Sequence, residues 1–215
     1  EHGLSGGMSA EEFRDRVPVR TDREYAPWLQ AVAKGEGSVL TRSPVTSLLK
    51  TSGTSGPAKL LPVTAPYEQA VADGQALWRL ALIRDHEAVT RGRILTVVSP
   101  ADEGASEGGL IYGSNTGRMA TRQGRLVRRR YAVPVEVATI KDPSARLYAL
   151  LRFAMQEDVR LLVTANPSSV LRLARGLRTY HSDLAADLAE GVMRRGLGEA
   201  AVMLRRWPAA CSSPA

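Results

Sequence analysis

The stretch LLKTSGTSGPAKLLPVT, residues 48–64, decides how the rest of the chain is interpreted. Within Thr51–Lys59 it holds four small hydroxyl residues, two glycines and a single lysine between apolar flanks. Glycines bring peptide N–H groups close to a ligand, and short hydroxyls donate hydrogen bonds with little steric bulk. The lysine adds a mobile positive charge. These ingredients predict a loop that binds a polyphosphate; the alternative is an ordinary flexible linker or turn.

The loop differs from a Walker A loop, whose pattern is G-x-x-x-x-G-K-[ST]. Pro57 and Ala58 separate Gly56 from Lys59, and Leu60 stands where the Mg²⁺-binding hydroxyl would be. The stretch therefore predicts phosphate binding by a different kind of loop.

The segments around the loop predict an α/β fold. Apolar and β-branched runs predict strands over residues 45–50, 93–100, 133–140 and 159–165. Capping residues and core spacing predict helices that follow Thr64, start at Pro143, follow Asn166 and follow Ser182. On the first of these helices one apolar face is predicted to enter the core: Val71, Gly74, Trp78, Ala81 and Leu82. Because strands alternate with helices, we expect a largely parallel sheet.

Composition bounds the class of protein. A chain of 215 residues with 44% hydrophobic content is long enough for one sizeable domain. No stretch reaches the roughly 20 apolar residues that a membrane span needs, and the first residues lack the pattern of a signal peptide. The single cysteine, Cys211, cannot form an internal disulfide. We therefore expect a reducing compartment, the cytoplasm, and no membrane partner.

The charge pattern leaves several partners open. The net charge of +7 fits nucleic acid, an anionic membrane surface or an anionic small molecule, but an arginine bias of the genome would produce it equally. The segment RMATRQGRLVRRRY, residues 118–131, holds six arginines and is either a nucleic-acid contact or a solvated face. Three scattered histidines, His2, His86 and His181, have no metal-ligand spacing, so no protein metal site is predicted.

The loop also carries a family resemblance. TSGTSGPAK resembles the phosphate-binding signature of the adenylate-forming superfamily, and its continuation, TSGTSGPAKLLPVT, resembles the first motif of the GH3 family of acyl-acid amido synthetases. The preceding segment, residues 13–45, resembles the corresponding part of that family. The following segments VVSPADEG, GLIYGSNTG and LRFAMQEDVRLLVTANPSSVLRLARGL also resemble it, in the same order along the chain.

The resemblance implies a fold and an activity. Residues 1–200 would form part of the large N-terminal adenylation domain, with a mixed or mainly parallel sheet flanked by helices, and residues 201–215 a frayed or truncated tail. The implied reaction uses ATP and Mg²⁺ to convert a small carboxylic acid into an acyl-adenylate, which an amino acid then attacks to release AMP. The implied phosphate ligands are Thr51, Ser52, Gly53, Thr54, Ser55, Gly56 and Lys59. Tyr112 is implied to line the acyl pocket, and the alternative is an ordinary packed tyrosine.

The sequence also departs from the family pattern. Family members are far longer and carry a later motif whose glutamate helps to bind Mg²⁺, an aspartate for the ribose and a mobile C-terminal domain. None of these is identifiable here. GASEGG, residues 104–109, superficially resembles the later motif, but its place in the order of segments matches an earlier one, so Glu107 is not assigned to magnesium. Three hypotheses follow: an amido synthetase or a fragment of one, a catalytically incomplete nucleotide-binding truncation, and, less favoured, a basic nucleic-acid-binding module.

Overall fold

The computed structural model describes residues 4–51 and 58–193, so the predicted tail, residues 201–215, lies outside the described residues. The α-helices in the described part are α1 (Ala10–Arg16), α2 (Asp22–Ala33), α3 (Ala65–Asp85), α4 (Asn115–Arg122), α5 (Arg125–Arg128), α6 (Pro143–Ala154) and α7 (Pro167–Ala189). The strands are β1 (Val45–Lys50), β2 (Leu60–Thr64), β3 (Arg93–Val97), β4 (Gly104–Ala105), β5 (Ile111–Gly113) and β6 (Val159–Thr164).

The strands that surround the glycine-rich loop form a mixed sheet in the order β2-β1-β5-β4. β1 and β2 are antiparallel, with Leu49 opposite Leu61 and Lys50 opposite Leu60. β1 and β5 are parallel, and β4 pairs antiparallel with β5. The buried side chains of Leu48 and Val63 hold the middle of this sheet. The loop is thus the connection of the β1–β2 hairpin.

A second sheet is formed by β3 and β6, which are parallel. Its two strands confirm the predictions for residues 93–100 and 159–165. The expectation of a mixed or mainly parallel sheet flanked by helices therefore holds for a four-stranded mixed sheet and a separate two-stranded parallel sheet. Helix α6 starts after Asp142, whose side chain accepts a hydrogen bond from the Ala145 N–H group. Such a cap satisfies a donor of the first turn.

The predicted strand over residues 133–140 was wrong. Residues Val135–Thr139 form a 3₁₀ helix after Pro134. Just before this point the backbone pairs with β3: Ile94 bridges to Tyr131, and the Ala132 N–H group donates to the Ile94 carbonyl. Because Pro134 has no N–H group to donate, the pairing cannot continue into a ladder. The apolar side chains of the segment are buried in the core without forming a strand.

The main core lies between the second sheet, the 3₁₀ segment, α6 and α7. Its largest fully buried side chains include Tyr148, Phe153 and Leu184. The prediction that Ser182 caps a new helix was wrong, because α7 runs without interruption from Pro167 to Ala189. The residues from 177 to 189 include no glycine or proline to end the helix, and Leu184 continues its buried face.

The first helix after the loop confirms its predicted start but not its predicted burial. Thr64 caps α3 by accepting a hydrogen bond from the Tyr67 N–H group, and Pro66 lies in the first turn. However, α3 has no buried residue, and Trp78 is half exposed. Two residues of the predicted face, Trp78 and Leu82, instead border an open apolar cavity, which is described below.

Candidate functional site

The two ends of the glycine-rich loop are joined by backbone hydrogen bonds. The Thr51 N–H group donates to the Lys59 carbonyl over 3.0 Å, and the Lys59 N–H group donates to Thr51 Oγ1 over 3.0 Å. Thr51 and Lys59 therefore close the base of the loop directly beyond the β1–β2 pairing. The other predicted phosphate ligands, Ser52, Gly53, Thr54, Ser55 and Gly56, lie outside the described residues.

The predicted phosphate-binding cation, Lys59, forms an ion pair with the Asp22 carboxylate. The hydrogen bond from the Lys59 ammonium lowers the pKa of Asp22 below the ordinary value of an aspartate. Asp22 is the first residue of α2, and at the other end of this helix the Ala33 carbonyl accepts a hydrogen bond from Gly108 in the β4–β5 turn. Because α2 is held at both ends, it positions a carboxylate beside the loop. An anionic ligand at Lys59 would compete with that carboxylate.

A second lysine beside the loop was not predicted as a site residue. Lys50, the last residue of β1, forms an ion pair of 2.7 Å with Glu103, and its ammonium lies 5.7 Å from the centre of the Tyr112 ring. The hydrogen bond from Lys50 to Glu103 raises the pKa of Lys50 above its ordinary value. The signal that could have identified Lys50 is its place in the sequence, since two of the four lysines flank this loop.

The predicted acyl-pocket residue, Tyr112, lies half-buried in β5. Its hydroxyl is so close to Gly104 that a β-carbon there would meet it at 2.7 Å. Tyr112 is thus fixed against a strand backbone on one side and faces the Lys50 ammonium on the other. Its assignment to the acyl pocket stays a prediction.

The carboxyl ends of the parallel strands β1 and β5 lead to the loop and to helix α4, respectively. Ser114 caps α4 by accepting a hydrogen bond from Gly117, and its hydroxyl donates to the Ser99 carbonyl over 2.8 Å. A β-carbon on Gly113 would meet the Ala101 carbonyl oxygen at 2.1 Å, and one on Gly117 would meet that of Ser99 at 2.2 Å. The segment after β3 therefore lies directly against the start of α4. In α/β sheets, ligands bind beside strand ends of this kind.

A large apolar cavity of about 710 Å³ opens beside α4. Its walls come from α3, α4, α5 and the β3–β6 sheet, and its apolar side chains include Trp78, Leu82, Val97, Met119, Leu126 and Val163. Polar atoms enter at a few places, such as Arg79 and Asn115. Concave apolar surfaces with few polar groups are typical of small-molecule sites. Sequence reasoning assigned two residues of the α3 wall, Trp78 and Leu82, to the core.

The arginine-rich segment, residues 118–131, is divided between internal contacts and the surface. Arg118 and Arg122 both pair with Glu68, which ties α4 to α3. Arg130 donates to the backbone carbonyls of Thr90 and Gly92. The other three arginines of the segment, Arg125, Arg128 and Arg129, are exposed and border a groove beside Tyr131. Three of the six arginines thus serve the fold, and three remain for an anionic partner.

Among residues 4–51 and 58–193, no three histidine, cysteine or acidic side chains are grouped so that they could hold a metal ion. In the same residues, no helix has the length and apolar character required to cross a membrane.

Comparisons with known proteins agree with this arrangement. The chain matches the GH3 family N-terminal domain over residues 1–205. It is 28% identical over 203 residues to jasmonoyl–L-amino acid synthetase GH3.3 of Oryza sativa subsp. japonica. This alignment covers 88% of this chain and 43% of the relative. It is 26% identical over 217 residues to indole-3-acetic acid-amido synthetase GH3.2 of Arabidopsis thaliana. This alignment covers 94% of this chain and 38% of the relative.

The fold has a counterpart among solved structures. AtGH3.15 acyl acid amido synthetase in complex with 2,4-DB aligns with a TM-score of 0.75 and 20% identity, over 91% of this chain and 35% of that one. At 20% identity, this similarity shows a shared fold only. The chain spans less than half the length of each of these three relatives.

Proposed function

Because the chain belongs to the GH3 family, we propose that it carries the nucleotide-binding part of an ATP-dependent acyl-acid amido synthetase. The reaction would activate a small carboxylic acid as an acyl-adenylate and then join the acyl group to an amino acid. The observation that carries this proposal is the loop at the end of β1, whose base is closed by Thr51 and Lys59. We also propose that residues 1–200 form part of an adenylation domain and that the protein works in the cytoplasm.

The chemistry of the loop fits a triphosphate. Backbone N–H groups from Ser52 through Gly56 and small hydroxyls from Thr51 through Ser55, together with the Lys59 ammonium, would hold the β- and γ-phosphates. These groups neutralise charge and fix the α-phosphate for attack, which is most of what phosphoryl chemistry requires from a protein. Mg²⁺ would arrive with the nucleotide and stabilise the charge on its phosphates. Since Lys59 is paired with Asp22, nucleotide binding requires Lys59 to exchange one anionic partner for another.

The apolar cavity supports a site for the acyl group. It runs along one face of β3 and β6 to their carboxyl ends and is bordered by Asn115 and Thr116 at the start of α4. That helix begins two residues after β5, the parallel neighbour of the strand that leads into the loop. A carboxylic acid with an apolar body in this cavity would present its carboxylate toward the loop side of α4. The names of the relatives, which refer to jasmonoyl and indole-3-acetic acid groups, agree with such a substrate.

ATP binding by the 215-residue chain tests the proposal. ATP with Mg²⁺ is expected to raise the unfolding temperature, and Lys59→Ala should weaken ATP binding by about tenfold to a hundredfold, the usual effect of losing one charge-assisted hydrogen bond. Lys141→Ala is the matched control, since this exposed lysine precedes α6, far along the chain from the loop. Equal ATP affinity in the wild type and Lys59→Ala would contradict the proposed role of the loop.

A catalytic assay separates an active enzyme from an incomplete truncation. Release of pyrophosphate that requires a carboxylic acid supports adenylate formation by this chain. ATP binding without such release supports the catalytically incomplete alternative, in which the nucleotide site is present and the reaction needs further parts of a longer protein. The assay should be run with acids of different apolar size, because the cavity selects by volume.

A further inference from the structure

The apolar cavity has a polar end that the proposed function leaves unused. Arg79 of α3 and Tyr131 both line the cavity there, away from the start of α4. The Arg79 guanidinium donates a hydrogen bond of 3.2 Å to the side chain of Gln123, the residue that directly follows α4. Tyr131 pairs with Ile94 near the beginning of β3. We call Arg79 and Tyr131 the distal donor pair.

Tyr131 holds a hydrogen-bond donor without a partner. Its side chain is nine-tenths buried, and among residues 4–51 and 58–193 its hydroxyl has no hydrogen-bond partner, although a buried phenol usually finds one. Burial raises the pKa of Tyr131, so the hydroxyl keeps its proton at neutral pH. The charges of Arg79 and Arg128 lower this pKa to a smaller extent, which indicates that both guanidinium groups lie near the hydroxyl.

Arg79 adds charged donors at the same end of the cavity. A guanidinium has five N–H donors, and the hydrogen bond to Gln123 uses one of them. The other arginine of the wall, Arg130, already donates to the carbonyls of Thr90 and Gly92. Within the described part of the chain, no aspartate or glutamate lines this cavity. The field of the distal donor pair therefore favours an anion or a polar oxygen.

The distal donor pair is separated from the start of α4 by an apolar stretch. The Ser99 N–H group donates to Thr116 Oγ1, which places the start of α4 just beyond the carboxyl end of β3. From Thr116 to Gln123 the helix rises about 10 Å. The cavity wall between these ends includes Val97 and Met119. A ligand that fills the cavity therefore meets polar groups at both ends and an apolar surface between them.

We propose that the distal donor pair binds a second oxygen-bearing group of the acyl substrate. The substrate class is then a carboxylic acid with an apolar body and a hydrogen-bond acceptor roughly 10 Å from the reacting carboxylate. This inference rests on the proposed function, in which the reacting carboxylate faces the loop side of α4. An acid without the second group would leave the buried donors of Arg79 and Tyr131 unpaired, which costs binding free energy. The pair thus selects oxygenated acids over purely apolar ones.

Decanedioic acid and decanoic acid are the matched probes. Both have the same chain length, but only decanedioic acid carries a second carboxylate at its far end. At pH 7 these carboxylates are ionised. Tyr131→Phe should weaken the binding of decanedioic acid about tenfold, because a hydrogen bond to a charged group is lost, and should leave that of decanoic acid unchanged. Arg79→Met should act in the same direction, with the same restriction to decanedioic acid.

Matched controls exist for both substitutions. Tyr25→Phe removes the same hydroxyl from a partly exposed tyrosine of α2, and Arg84→Met removes the same charge from an exposed position of α3. Both controls should bind the two acids as the wild type does. Isothermal titration calorimetry of the 215-residue chain with each acid measures all of these affinities. Circular dichroism shows whether each variant is folded.

The outcomes separate this inference from the proposed function. If the wild type binds neither acid, the proposed acyl site and the inference both fail. If the wild type binds decanoic acid but Tyr131→Phe binds decanedioic acid as well as Tyr25→Phe does, only the inference is overturned. Equal losses for both acids in Tyr131→Phe also overturn it, since the effect would not depend on the second group. If Arg79→Met does not fold, Tyr131→Phe decides alone, because it keeps the buried ring and removes a hydroxyl that has no partner in the described structure.

Discussion

The contact between α4 and the segment after β3 predicts that two chemically identical substitutions have opposite effects. Gly117 lies buried in α4, and an added β-carbon would meet the Ser99 carbonyl oxygen at 2.2 Å and the Ala101 nitrogen at 2.6 Å. Gly74 lies in α3, where an added β-carbon meets nothing within 4 Å. Both glycines are inside helices, so replacement by alanine gives each the same gain in helix propensity, about 1 kcal/mol.

The magnitude follows from these distances. At Gly117 the new carbon would be more than 1 Å inside the ordinary contact distance of about 3.5 Å. The closest atoms belong to the backbone and cannot rotate away, so the helix or the facing segment must move. Such overpacking costs about 1–3 kcal/mol, and a rigid neighbour places this site at the upper end. We therefore expect Gly117→Ala to lower the unfolding free energy by about 2 kcal/mol and Gly74→Ala to raise it by about 1 kcal/mol.

Urea denaturation of the 215-residue chain, followed by circular dichroism, measures both changes. The midpoint of thermal unfolding should move in the same directions by about 2–4 °C per kcal/mol for a chain of this size. The reasoning is refuted if Gly117→Ala is as stable as Gly74→Ala, because the two sites differ only in the backbone atoms that face them. A stable Gly117→Ala variant would mean that α4 is free to move away from Ser99.

Two further predictions concern the core and the cavity. Tyr148→Phe removes the 2.6 Å hydrogen bond from the buried phenol to buried Asp187 and should cost about 2 kcal/mol in a urea titration. Burial raises the pKa of Tyr148, so the contribution of this phenol to stability is complete below the unfolded pKa of about 10 and falls at higher pH. The unfolding free energy of Tyr148→Phe should therefore fall less than that of the wild type as the pH rises above about 10. Identical losses of stability in the two proteins would contradict this reasoning. Decanoic acid should change the tryptophan fluorescence of the protein, because Trp78 lines the cavity. This change should vanish in Trp78→Phe. An equal change in that variant would mean that the acid binds outside the cavity.

Local patterns were enough to predict many elements. The side chains of Thr64 and Asn166 cap α3 and α7 as their positions before an apolar helix indicate. Caps of this kind depend on hydrogen bonds between residues two or three positions apart, so the sequence alone specifies them. The strand before the loop, residues 45–50, follows equally from neighbouring residues.

Predictions that depended on distant partners were less successful. The apolar segment 133–140 has strand composition, but its burial is satisfied by a 3₁₀ helix packed in the core, because Pro134 interrupts pairing with β3. The apolar face of α3 has helix periodicity, which indicates a face that is covered. It does not indicate whether the cover is a packed core or a ligand cavity, since both present the same apolar pattern.

The sequence by itself determined that a glycine- and hydroxyl-rich loop with a terminal lysine follows a strand, because these features arise from residues close together in the chain. That the loop returns into a second strand, β2, was decided by pairing with β1. The tertiary structure alone decided which charges face that loop. Glu103 reaches Lys50 across 53 positions, and Asp22 reaches Lys59 from the start of α2. Such pairs, like the cavity shared by α3, α4 and the second sheet, depend on how separate elements pack, and packing distances leave no periodic trace in the sequence.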